Sequence, residues 1–379
     1  MIYPLLPLFL SSVLGASASF IGVIEGTAES VAALLKLASG WWSDRLKKRK
    51  PLVVLGYGLA TFVRPFTAMA QSATQVLAIR LADRVGKGIR SSPRDALLAD
   101  SADPSMRGKA FGFHAAADNA GAVLGPLVAF ALLRYAHLSL RGVFWLAAIP
   151  GALAFIVLVV AVKDVERAPE SPSDGKAEAQ ADKSSLGGRF WGYLTVVLLF
   201  TLGNSTDAFL LLRANQLGVA VALAPILWAL LNFIKSALGT WGGGLSDRLG
   251  RKPLIVAGWL VYAAVYFGFA RATAAWHAWA LFAAYGLFYA MTEGTEKAFV
   301  ADLVPRTRRG SAYGWYNLAI GLGALPASLV FGAIWDRSSP QAAFLFGASL
   351  AFVAAIGMTL VRPALRTADL RVNDSIIRS

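Results

Sequence analysis

Long apolar stretches alternate with short polar breaks along the whole chain, and none shows the every-second-residue alternation of a half-buried strand. They predict twelve helices, near residues 2–15, 17–42, 52–71, 75–100, 109–134, 140–162, 190–212, 216–243, 253–270, 276–300, 311–335 and 341–361. A helix needs roughly 20 apolar residues to cross a bilayer. The run Ile2–Gly15 supplies about two-thirds of that, whereas the stretch near 190–212 has a full upstream half. The first helix is therefore expected to be cut short at its upstream end. One segment interrupts the pattern: between 164 and 188 the chain is rich in Ser, Gly, Glu and Lys and too poor in apolar residues to fold by itself. The expected organisation is a six-helix bundle over 1–163, a linker over 164–188, a second six-helix bundle over 189–365 and a tail over 366–379.

The two halves repeat one another. Gly40-Trp41-Trp42-Ser43-Asp44-Arg45 is followed by a basic run ending at Lys50-Pro51-Leu52, and Gly243-Gly244-Leu245-Ser246-Asp247-Arg248 by Gly250-Arg251-Lys252-Pro253-Leu254. Ala99-Asp100 and Arg107-Gly108-Lys109-Ala110-Phe111-Gly112 echo Ala301-Asp302 and Arg309-Gly310-Ser311-Ala312-Tyr313-Gly314. Two matched apolar halves are how membrane carriers build a site between bundles that rock against each other.

Composition agrees with a membrane chain. Hydrophobic residues make up 56% and charged residues 15%, with a mean hydropathy of +0.57, against roughly 25% charged in a soluble domain. The net charge of +14 does not point to nucleic acid, because the basic residues sit in clusters between apolar spans and alternate with nearly uncharged connections. Arg45, Lys47, Lys48, Arg49, Lys50, Arg107, Lys109, Arg248, Arg251, Lys252, Arg306, Arg308 and Arg309 all fall in loops of one parity. The positive-inside rule puts those loops, the linker and the tail on the cytoplasmic side of a cytoplasmic (inner) membrane. Cysteine is absent, which excludes disulfides and thiol chemistry. His114, His137 and His277 are scattered, and no Gly-x-x-x-x-Gly-Lys-Ser/Thr loop occurs. No enzyme, cofactor or metal centre is expected.

The fourth span holds the densest anomaly: Arg80, Asp83, Arg84, Lys87, Arg90, Arg94 and Asp95. At 100° per residue, Asp83, Lys87, Arg90 and Arg94 share an arc of about 60°. Each charge facing lipid would cost roughly 2.5–3.5 kcal/mol, so this arc must line a wet cavity or pair internally. Lys87 and Arg90 are the deeper candidates for substrate, while Arg94 and Asp95 suit a gate. By the repeat, Glu296 matches Arg94 and Lys297 matches Asp95 with reversed sign, so the two pairs are expected to bridge the bundles. On the fifth span His114 and Asp118 share a face. Asp118, expected to be buried at membrane depth, is a candidate proton carrier with His114 as relay. The seventh span offers Asn204 and Asp207, and the eighth Asn232 and Lys235, with Lys235 a candidate partner for Asp207. Glu25, Glu29 and Lys36 add charges to the second span, and Trp228, Tyr289, Trp315 and Tyr316 are candidate cavity aromatics.

The Gly-x-x-x-Asp-Arg-x-x-Arg/Lys pattern after the second span of each half resembles the signature of the major facilitator superfamily. Gly243 to Arg251 fits closely; Gly40 to Lys50 carries one extra residue, and Lys47 replaces the usual Gly. The stretch Asp83 to Arg90 with Pro93-Arg94-Asp95-Ala96-Leu97 looks like a poorly characterised bacterial branch of that family, whose members carry an acidic Ser-Ser-Glu stretch before the first span; its counterpart here is Ser205-Thr206-Asp207. The resemblance implies an all-α fold of two pseudo-symmetric six-helix bundles. It also implies that Asp44 and Asp247 each face a helix start in the other bundle. Arg45 and Arg248 would then pair with an acid at the inner end of the fourth helix, Asp95 or Asp100, so that these groups latch the outward-open state. Arg84-x-x-x-Gly88 resembles the family's fourth-helix arginine motif, tied to proton coupling, and Gly121-x-x-x-Gly125-Pro126 resembles the signature of its antiporters, with Ala129-Phe130 departing from it.

The function expected from the chain is secondary active transport of a small anionic or mixed-charge solute, coupled to protons, as efflux by antiport. Proton-coupled uptake and a non-transporting sensor are the alternatives. The partners expected are a small-molecule substrate, protons and the lipid bilayer, with the chain acting as a monomer and binding no nucleic acid.

Overall fold

In the computed structural model, the described residues are 5–6, 9–15, 18–164, 186–205, 207–220 and 223–361. The predicted linker is described only at its ends. The tail, Thr206 and the side chains of Glu25 and Glu29 lie outside the described residues. All regular structure among the described residues is helical. We number the helices by span: α1 (the π-helical turn Phe9–Val13), α2 (Ala18–Arg45), α3 (Lys50–Val63, continued as a 3-10 segment over Arg64–Met69), α4 (Ala73–Ser101), α5 (Arg107–Arg134), α6a (Leu140–Leu146) and α6b (Ala148–Ala161), α7a (Gly188–Gly203) and α7b (Ala208–Gln216), α8 (Ala224–Leu249), α9 (Arg251–Arg271), α10 (Ala275–Leu303), α11 (Arg309–Arg337) and α12 (Pro340–Leu360).

Local chemistry sets the ends. Ser72, Ser139 and Ser339 each accept from the N–H three residues on and start α4, α6a and α12. Pro51, Pro225 and Pro340 occupy the first turns of α3, α8 and α12, where the missing N–H costs nothing. The eighth span begins at 224 rather than the expected 216. The seventh is not continuous: after Gly203 the backbone at Asn204 is extended (φ −98°, ψ 90°), and α7b starts only beyond Asp207. Gly, Asn and Ser are weak helix formers, and their side chains compete for the backbone.

Seven of these spans are long and apolar enough to cross a membrane. Helices α2, α4, α8 and α10 are not among them. These four pack on one another in pairs, α2 on α4 and α8 on α10, and contribute most of the charges described below. Within the second bundle α9 packs on α10 and α12, and α7a on α11 and α12, around a core that buries Trp259, Tyr193, Tyr262, Tyr266, Tyr285 and Phe282 completely. In the first bundle α4 packs on α2 and α3, and a smaller cluster of Leu6, Phe9, Leu10, Val76 and Phe144 ties α1 to α4 and α6a. The bundles meet along two seams, α5 against α8 and α2 against α11. A Cβ at Gly243 would fall on the carbonyl of Gly108, and one at Gly40 on that of Gly310. Only glycine permits backbones this close. The contact runs from the basic end to Ala116 and Ser236 on one seam and to Ala33 and Gly321 on the other. Gly121, about 180° around α5 from Gly112, is turned off this seam, and a Cβ there would meet nothing within 4 Å.

Candidate functional site

At the start of α5 and α11 the first backbone N–H groups have no partner within their own helix and carry the positive end of its dipole. Asp247 accepts from the N–H groups of Gly108 and Lys109 at 2.9 and 2.8 Å. Asp44 accepts from those of Gly310 and Ser311 at 2.8 and 2.6 Å. Each carboxylate comes from one bundle and caps a helix of the other.

A second layer locks these caps. Arg49 donates to Asp44 (3.2 Å), to Ser43 Oγ (2.7 Å), to Asp100 (3.1 Å) and to the carbonyl of Arg306 (3.0 Å). Arg251 repeats the set with Asp247, Ser246 Oγ and Asp302. Arg309 then reaches across to Asp100 and Arg107 to Asp302 at 2.7 Å, so both acids are shared between bundles. The arginines expected to do this, Arg45 and Arg248, do not. The Arg45 guanidinium lies 3.3 Å above the Trp41 ring, and Arg248 is exposed. Each is one residue past its aspartate, hence about 100° around the helix and turned off the seam. Arg49 and Arg251 were the missed residues, and the repeated Arg-Lys-Pro-Leu after each aspartate was the signal for them. Asp95, the other acid considered for this role, sits deeper.

One step inward, Lys297 Nζ lies 3.2 Å from Asp95, bridging α10 to α4, and Arg94 pairs with the same carboxylate at 2.9 Å. Glu296 does not join them. It is buried inside the second bundle, accepting from Trp259 Nε1 at 2.8 Å and Tyr316 OH at 2.6 Å, because its position next to Lys297 rotates it away from the seam. The expected four-charge gate is thus one ion pair plus an intrahelical arginine.

The charged arc of α4 faces protein. Asp83 pairs with Arg64 of α3 (2.8 Å) and with Arg80 (3.7 Å), and the Arg90 guanidinium stacks 4.0 Å over Tyr57 of α3. Arg84 is buried and Lys87 half-buried in the same helix. On α5, His114 Nδ1 lies 3.8 Å from Asp118, within the field of Arg94, Asp95 and Lys297. Asp118, however, is 67% exposed, contrary to the burial expected of it. The face of α5 that is buried carries Ala115, Ala116 and Asn119 instead, and Asp118 lies 100° off it.

Asn119 marks the deepest meeting of the bundles. Its amide donates to Glu293 of α10 at 3.4 Å, and Glu293 lies 3.8 Å from Lys235 of α8. Lys235 also sits 3.9 Å over the Tyr289 ring. From there a chain of hydroxyls leads to the break in the seventh span. Tyr289 OH is 3.4 Å from Tyr285 OH, and Tyr285 donates to Asp207 at 2.7 Å. Tyr262 OH donates to Asn204 and Ser205 Oγ lies 3.2 Å from Tyr266 OH. Irregular backbone at membrane depth is tolerated where it lines a cavity or lies in protein, and broken helices are a recurrent way to build carrier sites. The expected candidates Asn204, Asp207 and Lys235 thus come together. Tyr289, an expected cavity aromatic, joins them; Asn119, Glu293, Tyr262, Tyr266 and Tyr285 were missed, although the four-residue spacings Tyr262–Tyr266 and Tyr285–Tyr289 put each pair on one helix face. Asn232 is buried beside them and spends its amide on the carbonyl of Trp228. No group of three or more His, Asp or Glu among the described residues is placed to hold a metal ion.

Two helical bundles meeting at a duplicated ion-paired seam, with charged groups gathered at mid-membrane between them, are the architecture of a membrane transporter. A family model described as Major Facilitator Superfamily matches residues 1–295 and again 208–375. An uncharacterised MFS-type transporter of Methanocaldococcus jannaschii is 34% identical over 94% of this chain and 89% of its own length. An uncharacterised protein of Mycobacterium tuberculosis is 31% identical over 86% of this chain and 80% of its own. The multidrug resistance protein MdtH of Edwardsiella ictaluri is 28% identical over 43% of this chain and 41% of its own. Among solved structures, a double-tryptophan mutant of XylE superposes with a TM-score of 0.77 at 17% identity, covering 97% of this chain and 91% of that one. The human organic anion transporter MFSD10 does so with a TM-score of 0.72 at 18% identity, covering 92% and 88%. This chain belongs to the Major Facilitator Superfamily, and its fold is that of the family's transporters.

Proposed function

We propose that this chain is a proton-coupled exporter of a small solute that carries a carboxylate or charges of both signs. The observation that carries the reading is the cluster of Lys235, Glu293 and Asp207 among tyrosine hydroxyls. It offers one cation and two carboxylates within reach of both bundles, through Asn119. A solute with an anionic group would take Lys235 from Glu293, and the carboxylates would exchange protons as it leaves. Arg90 and the His114–Asp118 pair add charge on the first-bundle side. The seams are shut at the basic end, which the distribution of Arg and Lys puts on the cytoplasmic side of the inner membrane. The conformation is then outward-facing, with the duplicated carboxylate caps as its latch. Export rather than uptake is supported by the likeness of Gly121-x-x-x-Gly125-Pro126 to the antiporter signature and by the partial likeness to multidrug resistance proteins.

The test uses energised inverted vesicles and a panel of dicarboxylates, amino acids and anionic dyes first chosen by thermal shift. Export by antiport predicts that a stabilising solute releases protons from the vesicle lumen. Alkalinisation outside right-side-out vesicles on adding the same solute would assign uptake instead. Solute binding with proton movement in neither preparation would leave only a sensor.

A further inference from the structure

The α2–α11 seam has an outer side that the transport reading does not use. There a groove of about 640 Å³ runs between the bundles at the basic end, walled by Leu34, Leu37 and Trp41 of α2, Trp191 of α7a and Trp315 of α11, with Arg308 and Ser311 at the start of α11. Its size is that of a small-molecule site, roughly 300–1,000 Å³. Leu34, Trp41 and Trp191 are 64%, 51% and 42% exposed. Arg308 also lines the adjoining hollow together with Arg45, Thr307 and Asp44, whose carboxylate is taken up by the N–H groups of Gly310 and Ser311 and by Arg49, so two guanidiniums stand at one mouth of an aromatic groove. At the groove floor Ser311, only 6% exposed, holds a hydroxyl with no hydrogen-bond partner. A buried polar atom of this kind is rare without a ligand or water to satisfy it.

We propose that this groove is a specific site for an anionic phospholipid, its phosphate between Arg308 and Arg45 and its upper acyl chain along Trp41, Trp191 and Trp315. The wall is apolar where a chain would lie and cationic where a headgroup of the same leaflet would sit, and basic pockets between membrane helices suit such headgroups. A free phosphate would leave the tryptophans uncovered. The other seam is not built this way. The positions related by the repeat to Trp41, Arg308, Ser311 and Trp315 are Gly244, Met106, Lys109 and Phe113. The site is therefore single, and its walls come from both bundles, so a lipid in it favours the state in which the basic end is shut.

Phosphatidylglycerol and phosphatidylcholine, added to the purified full chain, separate specific binding from ordinary annular lipid. Native mass spectrometry is expected to retain one phosphatidylglycerol at least tenfold more strongly than phosphatidylcholine, and the preference is expected to vanish in the R45Q/R308Q variant. Phosphatidylglycerol brominated on the upper acyl chain is expected to quench tryptophan fluorescence more than the phosphatidylcholine analogue, with the excess lost in W41F/W315F. Inorganic phosphate at millimolar concentration is expected to displace nothing. Equal retention of the two lipids by the wild-type chain would overturn the proposal, whatever the variants do. So would displacement by phosphate alone, or an excess quenching unchanged in W41F/W315F.

Discussion

Asp100→Asn is expected to open the basic end. The Asp100 side chain is 5% exposed and is shared by Arg49 and Arg309, themselves 3% and 4% exposed, and by Arg306 at the rim. Neutralising it leaves two buried guanidiniums of opposite bundles without their common anion. Removing one partner of a buried ion pair costs about 3–5 kcal/mol, whereas opening the seam returns both arginines to water. The ratio of shut to open forms should therefore fall by about two to four powers of ten. The chain has no cysteine of its own, so one introduced thiol reports alone. Ser92 is fully buried, and its β-carbon adjoins the Gly40–Gly310 crossing. In a Ser92→Cys background, maleimide labelling should rise about a hundredfold with Asp100→Asn. It should rise in the same direction but by less with the equivalent change, Asp302→Asn, because the Asp302 side chain is 24% exposed and water screens its ion pairs. Arg248→Gln, which is exposed and touches neither cluster, should leave the rate within a factor of about two. An unchanged labelling rate in both aspartate variants would mean that the arginine clusters stabilise the fold without holding the seam.

Asp207→Asn is expected to uncouple transport without unfolding the protein. An amide oxygen can still accept from Tyr285, so the hydrogen bond at the α7 break survives. What disappears is the carboxylate proposed to take up and release the coupled proton. Solute-driven proton flux should drop by about tenfold or more, while solute-for-solute exchange across the same vesicles continues. Intramembrane carboxylates are expensive and are kept where they act. Asp118→Asn should cost less, since Asp118 is 67% exposed and its partner is a histidine 3.8 Å away. Proton flux that persists in Asp207→Asn but fails in Asp118→Asn would move the coupling group to the first bundle.

The broad plan was legible because membrane helices announce themselves by length and hydropathy, and a duplicated chain repeats its chemistry at a nearly constant offset. That offset exposed Asp44 with Asp247 and Asp100 with Asp302 as equivalent positions before any coordinates. Side-chain direction was harder to read. Arg45 against Arg49, Glu296 against Lys297 and Asp118 against Asn119 differ by one to four positions, and a single residue turns a helical side chain by 100°. The charge alone does not say which of two neighbours faces the other bundle. The extra residue in the first copy, five steps from Asp44 to Arg49 against four from Asp247 to Arg251, hid the equivalence further. The break in the seventh span was missed because Gly203-Asn204-Ser205 lies inside an otherwise continuous apolar run. At the break the Tyr262 hydroxyl donates to the carbonyl of Gly203, and the side chains of Asn204, Ser205 and Asp207 meet tyrosine hydroxyls from α9 and α10 that lie far away in sequence. Of the tyrosine cluster only Tyr289 was expected to line the cavity, because tyrosine in a membrane chain ordinarily marks an interface.

The measurement that bears most directly on the account is a pair of distances in one protein. Spin labels at Lys48 and Thr307, both exposed at the basic end and on opposite bundles, report that end. Labels at Tyr135 and Leu223, exposed at the far ends of α5 and α8, report the other. Alternating bundles predict that Asp100→Asn lengthens the first distance and shortens the second, each through two discrete populations. Distances that stay fixed, or that lengthen together at both ends, would contradict a carrier that rocks about its middle.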